Sequence, residues 1–293
     1  MQMQSQKQHP QLFSFEFYPP KTEEGEKKLE IVHQQLAELN PDFYSVTFGA
    51  GGSTRDKTFD TVVKIQNKGI SAAPHLSCVA STKENIREIL QAYKDNGISK
   101  IVALRGDLPS GMISAGEFRY ANELVEFIRE ETGDYFQIHV AGYPEVHPQA
   151  KNATEDLQNF KRKIDAGANA VITQYFYNVD AYFYFVDACE SMGIDIPIVP
   201  GIMPITNYSQ LFRFSDMCGA DIPRWMRKRL ECFGDDRESI IDFGVDVVSQ
   251  ICQRLLDNAA PGLHFYTMNQ SAPTLAIWNN LSFKSNLKKA QKE

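Results

Sequence analysis

Glu16 is a lone carboxylate inside Leu12-Phe13-Ser14-Phe15-Glu16-Phe17-Tyr18, an aromatic run halted by Pro19-Pro20. Side chains alternate along a strand, so Phe13, Phe15 and Phe17 share one face while Ser14 and Glu16 share the other. An acid at the end of such a strand, among aromatic rings, is set up for desolvation. That raises a carboxyl pKa and favours the protonated form, the state a general acid needs near neutral pH. An acid salt-bridged at a sheet end fits the same segment equally well.

Other polar residues follow further strand-like runs: Thr47, His75, Arg105 with Asp107, Tyr143 with His147, Gln174, and Asn269 with Gln270. So many furnished strand ends favour a site over solubility alone. Val171-Ile172-Thr173-Gln174 carries no lysine, which argues against a Schiff-base aldolase. His75, His139, His147 and His264 share no short spacing, which argues against a metallohydrolase, and no metal is expected. Carboxylates, amides, cations and aromatics remain. That set suits a large organic cofactor carrying the hard chemistry itself.

The elements that must position these residues alternate in type. Strand-length apolar runs recur near residues 13–17, 43–48, 71–78, 100–104, 136–141, 170–176, 196–201 and 263–267. Between them lie helix-period stripes: Leu29, Val32, Leu36 and Leu39; Ile86, Ile89, Leu90 and Tyr93, opened by a Ser81 to Glu84 capping box; Leu124, Val125 and Ile128; Leu157, Phe160 and Ile164. Strands separated by helices pair in parallel, and eight such units predict an α/β fold, a (β/α)8 TIM-type barrel. The seventh and eighth strands are separated by an elaborated helical segment, with helices near 207–218, 223–232 and 236–258. A doubly wound open sheet is the alternative, but its glycine fingerprint is missing, since Gly49-Ala50-Gly51-Gly52-Ser53-Thr54 lacks the third glycine. The reading places a flexible tail at 1–11, one catalytic barrel domain at 12–283 and a second tail at 284–293.

Of 293 residues, 43% are hydrophobic and 23% charged, enough to bury a substantial core. A net charge of −7 offers no field for nucleic acid, so an anionic ligand must be held by local cations. No apolar stretch approaches membrane-spanning length and the polar start lacks a signal-peptide core, which predicts a cytoplasmic protein without a membrane partner. Five cysteines without a CxxC pair read as reduced packing residues.

At these same residues the chain resembles a known family. FSFEFYPPK, SVTFGAGG, APHLSC, ALRGDLP, AGYPEVHP, LQNFKRKIDAGA, ITQYFY, VPGIMPITNYSQLFRF and FYTMN are similar, in this order, to segments of the bacterial methylenetetrahydrofolate reductases, over residues 12 to about 282. The resemblance implies a flavoprotein barrel that reduces 5,10-methylenetetrahydrofolate to 5-methyltetrahydrofolate, with FAD reduced first by NADH or NADPH, and a place in methionine synthesis. It implies Glu16 as the essential acid and Asp107 as a carboxylate beside flavin and pterin. Gln174, Gln210 and Phe214 are implied on the shared substrate face and Thr47 at the nicotinamide dinucleotide. FAD contacts are implied for Phe48, Ala50, His75, Arg105, Gly106, Asp107, Ala121, Tyr143, His147, Ala150, Asp156, Asn159, Arg162 and Lys163, where Arg105, Arg162 and Lys163 would supply cations for a pyrophosphate. NADH is the expected donor by resemblance to bacterial members, and a homo-oligomer is expected.

Two positions depart from the family pattern. Phe48 stands where a tyrosine is usual, which removes a hydroxyl contact. Gln270 stands where an arginine meets the folate glutamate tail, a loss of about 1 to 3 kcal/mol of carboxylate recognition, with Arg213 and Arg227 as possible substitutes. Two further readings differ in class: a proline dehydrogenase-like flavin barrel, disfavoured by Gln270 and the RGD at 105–107, and a noncatalytic folate-binding subunit, disfavoured by intact Glu16, Asp107 and Gln174.

Overall fold

A computed structural model describes residues 3–48, 55–106 and 116–282. Its strands are β1 (Leu12–Phe17), β2 (Phe43–Val46), β3 (Ala72–Ser77), β4 (Lys100–Leu104), β5 (Gln137–Gly142), β6 (Ala170–Thr173), β7 (Ile198–Val199), β8 (Gly201–Ile202) and β9 (Gly262–Tyr266). The helices between them are α2 (Glu23–Ala37), α3 (Arg55–Asn67), α4 (Lys83–Asp95), α5 (Ala121–Thr132), α6 (Ala153–Asp165) and α7 (Val179–Ser191). The long insertion supplies α8 (Tyr208–Cys218), α9 (Arg224–Phe233) and α10 (Arg237–Asp257); α1 (Gln4–Lys7) opens the chain and α11 (Ala272–Asn280) follows β9.

All pairings are parallel, in the order β7-β6-β5-β4-β3-β2-β1-β9-β8. The ring closes because β7 and β8 are two halves of one strand. Pro200 sits between them without an N–H to donate, yet its carbonyl still accepts from His264 N (3.0 Å). Counted so, the barrel has the eight strands that the alternating pattern predicts, with the expected helical elaboration before the last.

Register divides the strand residues into two faces. Ser14 pairs with Phe43 and His264, Glu16 with Ser45 and Tyr266, His75 with Val102, and Val102 with His139. These residues point into the lumen, where Phe43, Ala73, Val102 and Ile172 form a small apolar plug. The intervening residues point outward: Phe13 meets Trp278 (5.0 Å between ring centroids), and Phe17 meets Tyr44 (4.9 Å) and His33 on α2 (4.4 Å). Most of the apolar core is therefore the annulus between barrel and helices, while the lumen holds buried polar groups of the strands, Ser14, Ser45, His75, His139 and His264, around its plug.

Two local expectations change. The cap of α4 is Thr82, whose Oγ1 accepts from Asn85 N (3.2 Å), not Ser81; Ser81 instead bridges to Gly116. Residues 3–9 are not a solvated tail. Met3 and Gln6 are each 1% exposed, Gln6 donates to Ile196 O (3.2 Å) and accepts from Ile198 N (2.8 Å), and Ser5 donates to Glu190. A polar sequence hides this because, beside the single apolar anchor Met3, the segment docks by satisfying open backbone groups at the N-terminal end of β7. The expected tail at 284–293 lies outside the described residues.

Candidate active site

Glu16 points into the lumen from the C-terminal end of β1, and its side chain is only 16% exposed. Its Oε2 lies 3.1 Å from His75 Nε2 on β3 and 3.5 Å from His264 Nε2 on β9. His264 Nδ1 in turn lies 2.7 Å from Ser14 Oγ. With Ser14 donating to Nδ1, the neutral ring carries its proton on Nε2, facing the carboxylate. Neither Nε2 is aligned to hydrogen-bond the carboxylate in this geometry, so two buried ring nitrogens remain unsatisfied around one acid.

The electrostatics correct the sequence-based expectation. Glu16 was expected among the aromatics of its own strand, with a raised pKa. The alternation sends those rings outward and the acid inward. Burial does push its carboxyl upward, and it is the largest single influence, but the two imidazoles together outweigh it and hold the carboxyl down at about 2. Burial also lowers His264, opposed by its contact with Glu16, which favours the neutral ring there. The free site is thus an ionised carboxylate cupped by imidazoles, not a neutral acid in an apolar pocket.

The strand β9 fixes this corner. Thr267 Oγ1 donates to the Glu16 carbonyl (2.6 Å), and Tyr266 spans the lumen to donate to Thr173 O (2.7 Å). Gly201 allows that crossing: a Cβ there would lie 2.1 Å from Thr173 O and 2.6 Å from the Tyr266 ring. Ser14, Tyr266 and His264 were not predicted as site residues. Their signal lies in the alternation of β1 and β9, but only the register between strands joins it to Glu16.

The neighbouring strand ends carry a second group. Arg105 is half-buried and its guanidinium reaches Gln149 Oε1 (2.5 Å), tying the loop after β4 to the loop after β5. Gly106 has φ +83°, and a Cβ there would meet Ser77 Oγ at 1.9 Å, so backbone and neighbour leave no room for a side chain. The Tyr143 and His147 rings stack edge to face at 4.4 Å; His147 N donates to Asp156 (3.0 Å), and Ala150 N closes the turn on His147 O (2.9 Å). Ala121 opens α5. Asn159 Oδ1 accepts from the exposed Arg162 (2.8 Å). Among the described residues neither Arg105 nor Arg162 is paired with a carboxylate; Arg105 is held by Gln149 and the Gly106 carbonyl, and Arg162 by Asn159. Lys163 differs: its amine donates to Ala141 O (2.5 Å) and burial lowers its pKa to about 8, so it serves the strand end more than a solvent-facing anion.

The remaining candidates hold separate walls. Thr47 N donates to Phe17 O (2.8 Å), with half-buried Phe48 beside it; Gln174 N donates to Gly142 O (2.7 Å) and its Oε1 accepts from Tyr175 N. Gln210 and Phe214, four residues apart on α8, share a helix face, and Arg213 lies over the Phe214 ring at 5.3 Å. Gln270 N donates to Thr267 O (2.9 Å). The contacts of Gln174, Gln210, Phe214 and Gln270 run to their own surroundings rather than to Glu16. Asp107 and Ala50 lie outside the described residues. No group of histidines, cysteines or carboxylates among the described residues could hold a metal ion, and no helix there is long and apolar enough to cross a membrane.

Comparison with known proteins identifies the family. The profile of the family described as methylenetetrahydrofolate reductase matches residues 2–282. The 5,10-methylenetetrahydrofolate reductase of Escherichia coli K12 is 43% identical over 275 residues, covering 94% of this chain and 92% of the relative. A probable methylenetetrahydrofolate reductase (NADH) of rice is 41% identical over 92% of this chain, which spans 48% of that longer protein. Among solved structures, an uncharacterized protein from Clostridium thermocellum that binds two copies of 5-methyl-5,6,7,8-tetrahydrofolic acid superposes with a TM-score of 0.66 over 94% of this chain and 95% of its own, at 17% identity, a likeness of fold. The motifs, the closed parallel barrel and these matches converge, and the chain belongs to the methylenetetrahydrofolate reductase family.

Proposed function

We propose that the barrel mouth binds FAD and catalyses reduction of 5,10-methylenetetrahydrofolate to 5-methyltetrahydrofolate, with NADH as the electron donor in a ping-pong sequence. What carries the reading is the Glu16 carboxylate at the lumenal mouth, 3.1 and 3.5 Å from two imidazole nitrogens, in a chain of this family. The donor set suits the cofactor. Arg105 and Arg162 are cations without carboxylate partners among the described residues, and the backbone at Gly106 admits close approach. His75, Phe48, Ala121, Tyr143, His147, Ala150, Asp156, Asn159 and Lys163 would complete the cradle, with Ala50 and Asp107 assigned there by family likeness. Bound FAD would accept hydride from the nicotinamide and pass it to the folate.

Glu16 moves the proton. Opening the methylene bridge requires protonation of the weakly basic nitrogen on the aminobenzoate side, and Glu16 is the acid assigned to it. His75 and His264 flank the carboxylate at the mouth, 3.1 and 3.5 Å from its Oε2. Asp107 stabilises the cationic iminium that follows. Gln174, Gln210 and Phe214 serve folate and nicotinamide in turn, so one must leave before the other enters. Thr47 contacts the dinucleotide, and Gln270 faces the glutamate tail. The product's methyl group suits methionine synthesis, and a cytoplasmic homo-oligomer is the expected form.

Purified protein should be yellow, and acid precipitation should release its flavin entirely as FAD. Anaerobic NADH should bleach the flavin and methylenetetrahydrofolate should restore the colour. A colourless chain that takes up no flavin, or reduced flavin indifferent to the folate, would overturn the assignment.

A further inference from the structure

The β1–β9 ladder ends at the pair Glu16 and Tyr266, two residues short of Pro19-Pro20. The chain beyond it is nevertheless held. Tyr18 N donates to Asn269 Oδ1 (3.0 Å) and Asn269 Nδ2 donates to Tyr18 O (2.9 Å), so one side-chain amide satisfies both backbone groups of Tyr18 as a neighbouring strand would. Reaching that position puts two successive non-glycine residues, Met268 and Asn269, at positive φ, 52° and 55°. Asparagine tolerates this region, methionine poorly. Asn269 N donates to Thr267 Oγ1 (3.2 Å) and Gln270 N to Thr267 O (2.9 Å), and these bonds hold the turn. Strain kept up by surrounding bonds at the rim of a site is a reason to ask what it positions.

It positions Tyr18. By alternation Tyr18 lies on the face of Glu16, and the residue is 45% exposed although its backbone is fixed on both sides. No ring pair engages it among the described residues. An aromatic ring on an immobilised backbone loses little freedom when it stacks. We propose that Asn269 is a positioning residue that carries β1 rigidly past Glu16, and that it presents the Tyr18 ring as a stacking surface for the flat ring portion of the folate. The inference rests on the reading that this mouth binds folate.

The test is calorimetric binding of 5-methyltetrahydrofolate to the oxidised, flavin-loaded protein, with thermal unfolding followed in parallel. Tyr18→Ala, at an exposed residue, and Asn269→Gly, which removes the clamp while relaxing the positive φ, should each weaken binding about fivefold to tenfold with the unfolding midpoint near wild type. Tyr18→Phe should stay within about twofold. Because Asn269 acts through Tyr18, the double variant should bind no more weakly than Tyr18→Ala alone. Wild-type affinity in Tyr18→Ala, or losses that add in the double variant, would overturn the proposal while leaving the function intact. Failure of the wild-type protein to bind the probe would overturn both.

Discussion

Glu16 faces two demands that pull in opposite directions. As the acid of the proposed reaction it would carry a proton near neutral pH; in the free molecule the imidazoles of His75 and His264 hold it ionised. Flat rings over the mouth would exclude water and strengthen the desolvation that already opposes ionisation, so the protonated form belongs to the loaded site. The Glu16→Gln variant separates the two half-reactions. Hydride transfer from NADH to flavin draws no proton from this residue, so stopped-flow bleaching should stay within about tenfold of wild type, roughly 1.4 kcal/mol in barrier. Reoxidation by methylenetetrahydrofolate should fall at least about a hundredfold, because glutamine cannot deliver the proton. Equal losses in both would make Glu16 a structural residue, and no loss in either would place the acid elsewhere. The inward-facing carboxylate was legible, since a charge inside an aromatic strand demands a reason. Its environment was not: Ser14 and His264 are 250 positions apart, and local sequence does not state their contact.

At the scale of elements, legibility followed periodicity. Period-two runs marked the strands and period-3.6 stripes the helices, including the three helices of the insertion, because each element must bury one face. Features satisfied by single hydrogen bonds left no such trace. The break at Pro200, the Thr82 cap and the Gln6 contacts of the docked N-terminal segment all solve backbone accounting rather than hydrophobic burial. The last gives a prediction. Gln6 fills its amide with Ile196 O and Ile198 N at the barrel end opposite Glu16. Gln6→Ala strands two backbone groups at the start of β7 and should cost about 1 to 3 kcal/mol in urea unfolding. Flavin content and NADH bleaching of the folded variant should be unchanged. A stability equal to wild type would mean that the segment decorates the barrel without supporting it.

For the whole molecule, buried histidines couple the fold to pH. Burial is the main cause in each case: it lowers His33 to about 4 and His139 to about 3, and it also lowers His264. An unfolded histidine binds its proton near 6.5, so between that value and the folded pKa the unfolded state holds more protons and stability falls as pH falls. Each site contributes up to about 1.4 kcal/mol per pH unit in its window, against a total of about 5 to 15 kcal/mol for a domain. Glu16 has the same sign lower down: its contribution is present above about 4.5 and is lost as pH falls toward 2. The urea midpoint should therefore be level above pH 7 and drop steeply between 6.5 and 4. His33 isolates one share of that slope. Its ring packs edge to face on Phe17 at 4.4 Å and lies 5.3 Å from Tyr44, and its Nε2 has no hydrogen-bond partner, so His33→Phe keeps the aromatic packing and removes the titration. The variant should match or exceed wild-type stability at pH 7 and gain up to about 3 kcal/mol relative to wild type by pH 4. Parallel curves for the two proteins across that range would show that His33 protonates in the folded state and that the acid sensitivity arises elsewhere.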